Sequence, residues 1–87
     1  MNKELIARVI QTTITMEELG ELSQALGKYV RYVEGDKTLR KDIYDIREMI
    51  VEELADVELC LEKFKESNYI DQCDIDKIKN YKENRLK

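Results

Sequence analysis

Apolar residues recur every three or four positions along most of the chain, which is the spacing of an amphipathic α-helix. Two polar breaks interrupt the pattern, "EGDKT" at 34–38 and "SNYID" at 67–71. We therefore predict three helices, over about residues 3–33, over about residues 39–66, and from about residue 71 or 74 to the C-terminus. The sequence has no proline, which agrees with long uninterrupted helices.

Glycine and capping residues refine these boundaries. Gly35 is the predicted cap at the end of the first helix, and Asp36 or Thr38 is the predicted N-cap of the second. Gly20 and Gly27 lie inside the first helix and cost about 1 kcal/mol each relative to alanine, so we expect close packing or a bound ligand there. The predicted core stripe of the second helix is Ile43, Ile46, Met49, Ile50, Leu54, Val57, Leu61 and Phe64.

The expected fold is all-α and consists of an antiparallel helical hairpin plus a third helix. With 87 residues, the chain is predicted to be a single domain over 1–87. A chain of this length buries only a modest core by itself. We therefore expect it to form a four-helix-bundle-like homodimer or homotetramer.

Charge and cysteine content exclude several classes of protein. Charged residues make up 39% of the chain and the net charge is −4, which argues against a nucleic-acid binder. With two cysteines, Cys60 and Cys73, and no histidine, neither a zinc site nor a disulfide framework is expected. The N-terminal segment lacks the apolar region of a signal peptide, and no apolar run approaches the roughly 20 residues that span a membrane. A cytoplasmic location is expected.

Acidic residues lie among the apolar positions of the first helix, where burial is expected. In "TMEELGELSQAL" at 15–26, Glu18 lies in the middle of the apolar stripe. Glu21 lies about 60° away, beside Ile14, and Glu17 lies at the edge of the stripe.

The run "IVEELADVELCL" at 50–61 repeats this arrangement on the second helix. Glu53 shares a face with Met49 and Val57, and Asp56 lies one turn further on. The acidic residues predicted to lie on the solvated face are Glu48, Glu52, Glu58 and Glu62.

The two inward pairs, Glu18 with Glu21 and Glu53 with Asp56, converge if the helices pack antiparallel. Four unpaired anions in a protein core are prohibitively costly. Either lysine and arginine neutralise them through inter-helix salt bridges, or a cation does. The inward arcs carry few basic residues, so we favour a cation, and ligands that are all oxygen suit Mg²⁺ or Mn²⁺.

The segments "EELGE" at 17–21 and "ELAD" at 53–56 resemble the EExxE…ExxD signature of the MazG-like, all-α nucleoside triphosphate pyrophosphohydrolases. The resemblance extends over most of the chain, from the first helix to the third. It implies Mg²⁺-dependent hydrolysis of a (d)NTP or a related nucleotide to the monophosphate and pyrophosphate. The chain has no tryptophan, which many members carry near the base pocket, so the resemblance does not extend to base specificity.

The resemblance also implies roles for individual residues. The metal ligands would be Glu18, Glu21, Glu53 and Asp56. Glu17 would either support the metal ligands from outside the coordination sphere or orient a water molecule, and Glu21 or Glu53 would accept the proton of the attacking water. The expected phosphate contacts, within "KIKNYKENRLK" at the C-terminus, are Lys79, Lys82, Asn84 and Arg85. The aromatic residues that either stack on a base or serve only in packing are Tyr29, Tyr32 and Tyr44.

An alternative function of another class is a non-catalytic helical oligomerisation or adaptor module whose acidic face binds a basic partner. The orientation of the carboxylates distinguishes the two hypotheses. An adaptor would display its acidic residues outward, whereas a metal-dependent hydrolase needs Glu18 and Glu53 to point inward.

Overall fold

The computed structural model describes residues 2–39 and 41–86. Within these ranges the chain is all-α and forms three helices: α1 (Lys3–Val33), α2 (Ile43–Ser67) and α3 (Gln72–Leu86). The all-helical prediction is confirmed. In the described part of the chain, no helix is long and apolar enough to cross a membrane.

One polar side chain and one glycine fix the two ends of α1. At the N-terminus, the Asn2 side-chain oxygen accepts a hydrogen bond from the Leu5 N–H at 2.8 Å. At the C-terminus, Gly35 adopts a φ of 77°. Its N–H donates to the Tyr32 carbonyl at 3.0 Å, and the next N–H donates to the Arg31 carbonyl at 2.9 Å. This pair of bonds closes the last turn, and the predicted role of Gly35 is confirmed.

The second helix begins four residues later than predicted. Its N-cap is Asp42, whose side chain accepts a hydrogen bond from the Asp45 N–H at 2.9 Å. The prediction that Asp36 or Thr38 caps this helix is therefore wrong. Both are good capping residue types, but the described residues between them and Ile43 are not helical.

Asp36 instead organises the loop between α1 and α2. It accepts hydrogen bonds from the Thr38 hydroxyl at 2.6 Å, the Thr38 N–H at 2.8 Å and the Arg31 Nε at 2.8 Å. The Thr38 hydroxyl, together with Arg31 and the Thr38 N–H, lowers the pKa of Asp36 from its usual 3.8 to about 2. One ionised carboxylate thus connects the end of α1 to Thr38 in the loop.

The first two helices pack against each other as an antiparallel hairpin, as predicted. The N-terminal turns of α1 lie beside the C-terminal end of α2, where the Arg8 guanidinium is 5.9 Å from the Tyr69 ring centroid. Helix α3 packs against neither α1 nor α2. The radius of gyration is 17.0 Å, whereas a compact chain of this length has about 12 Å. The fold is a hairpin with a projecting third helix.

The hairpin has a small core. Among the described residues, the buried apolar side chains are Ala25, Ile46 and Val57, and Thr15 is the buried polar one. Leu54 and Leu61, which the sequence placed in the core stripe, are 43% and 39% exposed. Apolar residues on both long helices therefore remain at the surface of the single chain.

The expectation of close packing at Gly20 and Gly27 is not supported within the chain. A Cβ atom added at either position meets nothing within 4 Å. No contact among the described residues therefore requires glycine at these positions.

Candidate metal centre

Three carboxylates from the two long helices meet at the middle of the hairpin. Helix α1 provides Glu18, and α2 provides Glu53 and Asp56, which are one helical turn apart. One oxygen atom from each carboxylate lies within 4.8 Å of the others. Of the four carboxylates predicted to converge, the structure brings together those of Glu18, Glu53 and Asp56, and Glu21 is not part of this group.

Two of these carboxylates point an unpartnered oxygen into the space between the helices. The Oε2 atoms of Glu18 and Glu53 are closed off from solvent, and no donor among the described residues reaches either atom. The rest of each side chain is half-buried. Buried oxygens without a partner are unusual in native proteins and call for a ligand, a proton or an ion.

Burial and like charge both favour the protonated forms of these two residues. Burial raises the pKa of Glu18, and the charges of Glu21, Asp56 and Glu53 raise it further. Burial likewise raises the pKa of Glu53, with further contributions from the charges of Glu21 and Asp56. A cation at this position would remove both penalties, because it attracts the charged form.

Glu21 and Glu17 occupy different positions relative to this cluster. Glu21 is exposed, but its charge is close enough to raise the pKa of both Glu18 and Glu53. Glu17 is also exposed, and no ion pair or side-chain hydrogen bond among the described residues involves it. The structure thus brings Glu21 to the rim of the cluster and leaves Glu17 outside it.

No basic side chain neutralises the cluster within the described part of the chain. The ion pairs found there join Arg8 to Glu4 at 2.8 Å and Arg31 to Asp36 at 2.8 Å. The salt-bridge interpretation of the inward carboxylates is therefore not supported by the single chain. The oxygen-only donor set fits a hard divalent cation.

The predicted phosphate-binding residues are not brought to the carboxylates. All four lie on α3, which stands away from the hairpin, and all four are exposed; they are Lys79, Lys82, Asn84 and Arg85. The Arg85 guanidinium lies 5.9 Å from the ring centroid of Tyr81 on the same helix.

The three tyrosines considered for base stacking are all exposed. Tyr29 and Tyr32 on α1 are 44% and 42% exposed, and Tyr44 on α2 is 77% exposed. Tyr29 borders a shallow groove beside Ile43 and Ile50.

The sequence did not indicate that so many apolar side chains of α1 would remain outside the hairpin. Its apolar stripe is too wide to be covered by one neighbouring helix.

The chain has no match among protein-family models, curated protein sequences or solved structures. The similarity to the MazG-like signature therefore rests on the segments "EELGE" and "ELAD" of the sequence.

Proposed function

We propose that the chain is a metal-dependent nucleoside triphosphate pyrophosphohydrolase that converts a (d)NTP or a related nucleotide to the monophosphate and pyrophosphate. The observation that carries this proposal is the pair of buried, unpartnered oxygens on Glu18 and Glu53, beside Asp56. Such a cluster has no evident structural purpose, because unpaired buried charge destabilises a fold. The resemblance of the two motifs supplies the reaction class.

Glu18, Glu53 and Asp56 would hold Mg²⁺, or alternatively Mn²⁺, with Glu21 as a fourth ligand at the rim. The fit rests on the oxygen-only donor set and on the two unpartnered Oε2 atoms. A divalent cation bound there would neutralise part of the negative charge on the polyphosphate of the substrate.

The remaining roles belong to the side chains. Glu21, which is exposed, or Glu53 would accept a proton from the attacking water. Glu17, exposed on the preceding turn, would orient that water. Lys79, Lys82, Asn84 and Arg85 would bind phosphate oxygens once α3 comes near a carboxylate cluster.

We also propose that the chain acts in the cytoplasm as a homodimer or homotetramer. Both cysteines, Cys60 and Cys73, are free thiols, which suits a reducing compartment. Self-association would complete a four-helix-bundle-like arrangement around the small core of the hairpin.

The exposed apolar surface favours one other candidate, a non-catalytic helical oligomerisation or adaptor module with an acidic face. That module would need its acidic residues to face solvent. Glu18 and Glu53 instead point between the helices, which favours the hydrolase.

The test measures pyrophosphate release from a panel of NTPs and dNTPs with Mg²⁺ and with EDTA. We expect turnover of at least one triphosphate with Mg²⁺, none with EDTA, and a fall of at least about 100-fold in Glu53→Gln. Glu62→Gln removes the same charge from an exposed position of α2 and is the matched control. If no triphosphate is hydrolysed and Mg²⁺ does not raise the melting temperature, the proposal is wrong.

A further inference from the structure

The bend between α2 and α3 contains neither proline nor glycine. Helix α2 ends at Ser67 and α3 begins at Gln72, and the four residues between them are "NYID". The unusual residue among them is Tyr69, which has a φ of 55°. A bulky side chain rarely adopts this left-handed conformation, because its Cβ crowds the backbone. Tyr69 is therefore in a strained backbone conformation.

The backbone hydrogen bonds show that Tyr69 occupies a position where helices usually carry glycine. The Ile70 N–H donates to the Lys65 carbonyl at 2.9 Å, and the Tyr69 N–H reaches the Glu66 carbonyl at 3.5 Å. The same pair of bonds closes α1 at Gly35, at 2.9 Å and 3.0 Å. The two helices thus end in the same way, but only α1 has the residue that this ending favours.

Few contacts offset the strain at Tyr69. Its ring is 84% exposed, and the Arg8 guanidinium lies 5.9 Å from its centroid. A cation above an exposed ring is a weak interaction. In the described part of the chain, α3 packs against neither α1 nor α2. The bend therefore gains little apolar burial in return for its left-handed residue.

Local polar contacts hold the bend. The Asn68 amide nitrogen donates to a backbone carbonyl one turn earlier in α2 at 2.9 Å. The Asp71 carboxylate accepts from the Cys73 N–H at 2.9 Å. Across the bend, the Lys65 ammonium donates to the side-chain oxygen of Gln72 at 2.7 Å. A continuous helix would satisfy the same backbone groups with its own hydrogen bonds.

The apolar pattern continues across the bend in the phase of one helix. Leu61 and Phe64 are followed 14 residues later by Ile75 and Ile78. In a continuous helix, 14 residues fall only about 40° short of four full turns, so both pairs share one face. Val57, which is buried in the hairpin, lies on this face as well. The sequences of α2 and α3 are therefore compatible with a single amphipathic helix.

We propose that residues 68–71 form a hinge with two states. In the bent state Tyr69 is left-handed and α3 projects from the hairpin, as in this structure. In the straight state Tyr69 is right-handed, and α2 and α3 form one helix over residues 43–86. Such a helix is about 66 Å long, whereas the longest extent of the bent chain is 49 Å. The straight state relieves the strain at Tyr69, and the bent state keeps the contacts of Arg8, Lys65 and Asp71.

The hinge determines how close α3 can come to the carboxylate cluster of its own chain. In the straight state, the Cα atom of Lys79 lies about 39 Å along the helix axis from that of Glu53. The basic side chains of α3 can approach this cluster only in a bent state. The hinge is a property of the chain itself and does not rest on the proposed hydrolase activity.

The experiment compares Tyr69→Ala with Tyr69→Gly. Both variants remove the ring and its contact with Arg8, so they differ only in the preference of the backbone. Glycine adopts the left-handed conformation without strain, whereas alanine is strained there and favours a helix. We expect the ratio of straight to bent chains to be at least about tenfold higher in Tyr69→Ala than in Tyr69→Gly.

Pulsed electron paramagnetic resonance measures this ratio in the full chain. Nitroxide labels are attached at Glu52→Cys on α2 and Glu83→Cys on α3, both exposed, in a chain that carries Cys60→Ala and Cys73→Ser. Labelled chains are diluted with unlabelled ones, so that only distances within one chain are recorded. The straight state separates the two labelled Cα atoms by about 46 Å. The bent state gives a shorter distance, because a bend brings the far ends of two helices together.

Two matched controls accompany the comparison. Glu62→Ala and Glu62→Gly make the same exchange at an exposed position inside α2, and should give the same distance distribution. Arg8→Gln removes the cation beside Tyr69 and should raise the straight fraction above that of the wild type. Glu4→Gln breaks the 2.8 Å ion pair with Arg8 but leaves the guanidinium at the ring, so its distribution should match the wild type.

The distances decide between the two states directly. Tyr69→Ala should show a resolved population at about 46 Å. If Tyr69→Ala gives only the short distance, or if Tyr69→Gly gives only the long one, the two-state hinge is wrong. If both variants show equal straight fractions, the left-handed conformation of Tyr69 does not control the bend. Turnover of nucleotides does not enter this measurement, so an inactive protein leaves the inference standing.

Discussion

Glu18 on α1 and Glu53 on α2 each point a carboxylate oxygen into the space between the helices, where no donor from the described residues reaches it. Like charges and burial raise the pKa of both groups. In the absence of a cation, this arrangement works against folding, because an ionised carboxylate loses its hydration there without gaining a partner. The first prediction follows from this conflict.

Replacing Glu53 by Gln should stabilise the cation-free protein and strongly reduce its stabilisation by Mg²⁺. The amide keeps the shape of the side chain but removes a charge that is partly desolvated and repelled by Glu21 and Asp56. In EDTA, the melting temperature of Glu53→Gln should therefore exceed that of the wild type. With Mg²⁺ at about 100 times its dissociation constant, the wild type should gain about 2.7 kcal/mol, and the variant much less.

Thermal unfolding followed by circular dichroism measures both the melting temperature in EDTA and the stabilisation by Mg²⁺. Glu62→Gln, at an exposed position of the same helix, removes one charge without touching the cluster, so its response to Mg²⁺ should match that of the wild type. An equal Mg²⁺ response in Glu53→Gln and Glu62→Gln would remove Glu53 from the ligand set.

The carboxylate cluster was predictable because helical spacing fixes the direction of every side chain once a helix is assigned. Glu18 and Glu53 could be placed inward from the sequence for this reason. The start of α2 was not predictable, since Asp36, Thr38 and Asp42 are all good N-caps and only the folded loop decides among them.

The outward position of Leu19 was also hidden in the sequence. The apolar residues of α1 cover more of its circumference than α2 can occupy, so periodicity alone does not decide which of them are buried. In the fold, the small residues Thr15 and Ala25 are buried against α2. Small side chains let two helices approach closely, and the larger Leu19 and Leu26 remain on the outside.

Asp36 gives a prediction about acid stability. Its pKa is lowered to about 2 in the fold, so the unfolded chain binds this proton more readily than the folded one. Its contribution to the free energy of unfolding should be fully present above about pH 4 and should disappear as the pH falls to about 2. The difference in melting temperature between the wild type and Asp36→Asn should therefore shrink over this interval.

Comparison with the variant at each pH is needed because other carboxyl groups also titrate in acid. Thr38→Val removes the hydroxyl donor, which is the largest cause of the lowered pKa, and should raise the lower end of the interval. A difference between wild type and Asp36→Asn that stays constant from about pH 6 to about pH 2 would contradict the role of this carboxylate.

Two glycine-to-alanine substitutions should have opposite effects on stability. Gly35 has a φ of 77°, a conformation in which a Cβ costs about 1–2 kcal/mol, so Gly35→Ala should lower the free energy of unfolding by that amount. Gly20 lies inside α1 with open space around it, so Gly20→Ala should raise the free energy by about 0.5–1 kcal/mol. Urea unfolding of the two variants measures both values. A loss of stability in Gly20→Ala would show that another copy packs closely against that position.

The position of α3 makes phosphate binding testable separately from folding. Because α3 packs against neither α1 nor α2, replacing its exposed lysines should leave the melting temperature of the hairpin unchanged. If Lys79 and Lys82 bind phosphate oxygens, Lys79→Ala and Lys82→Ala should each raise KM for the best triphosphate substrate by about tenfold or more. Lys77→Ala removes the same charge from the same helix, but Lys77 lies about 200° away from Lys79 around its axis.

Steady-state kinetics of these three variants show whether the rise in KM is restricted to Lys79 and Lys82. A rise in KM restricted to Lys79→Ala and Lys82→Ala would mean that one side of α3 meets the substrate. Because this helix stands away from the carboxylates of its own chain, it would reach them either by moving or from a second copy.

Mixing inactive Glu53→Gln chains with Lys82→Ala chains distinguishes these routes. Partial recovery of turnover would show that α3 serves the cluster of its partner, whereas no recovery would place both on one chain.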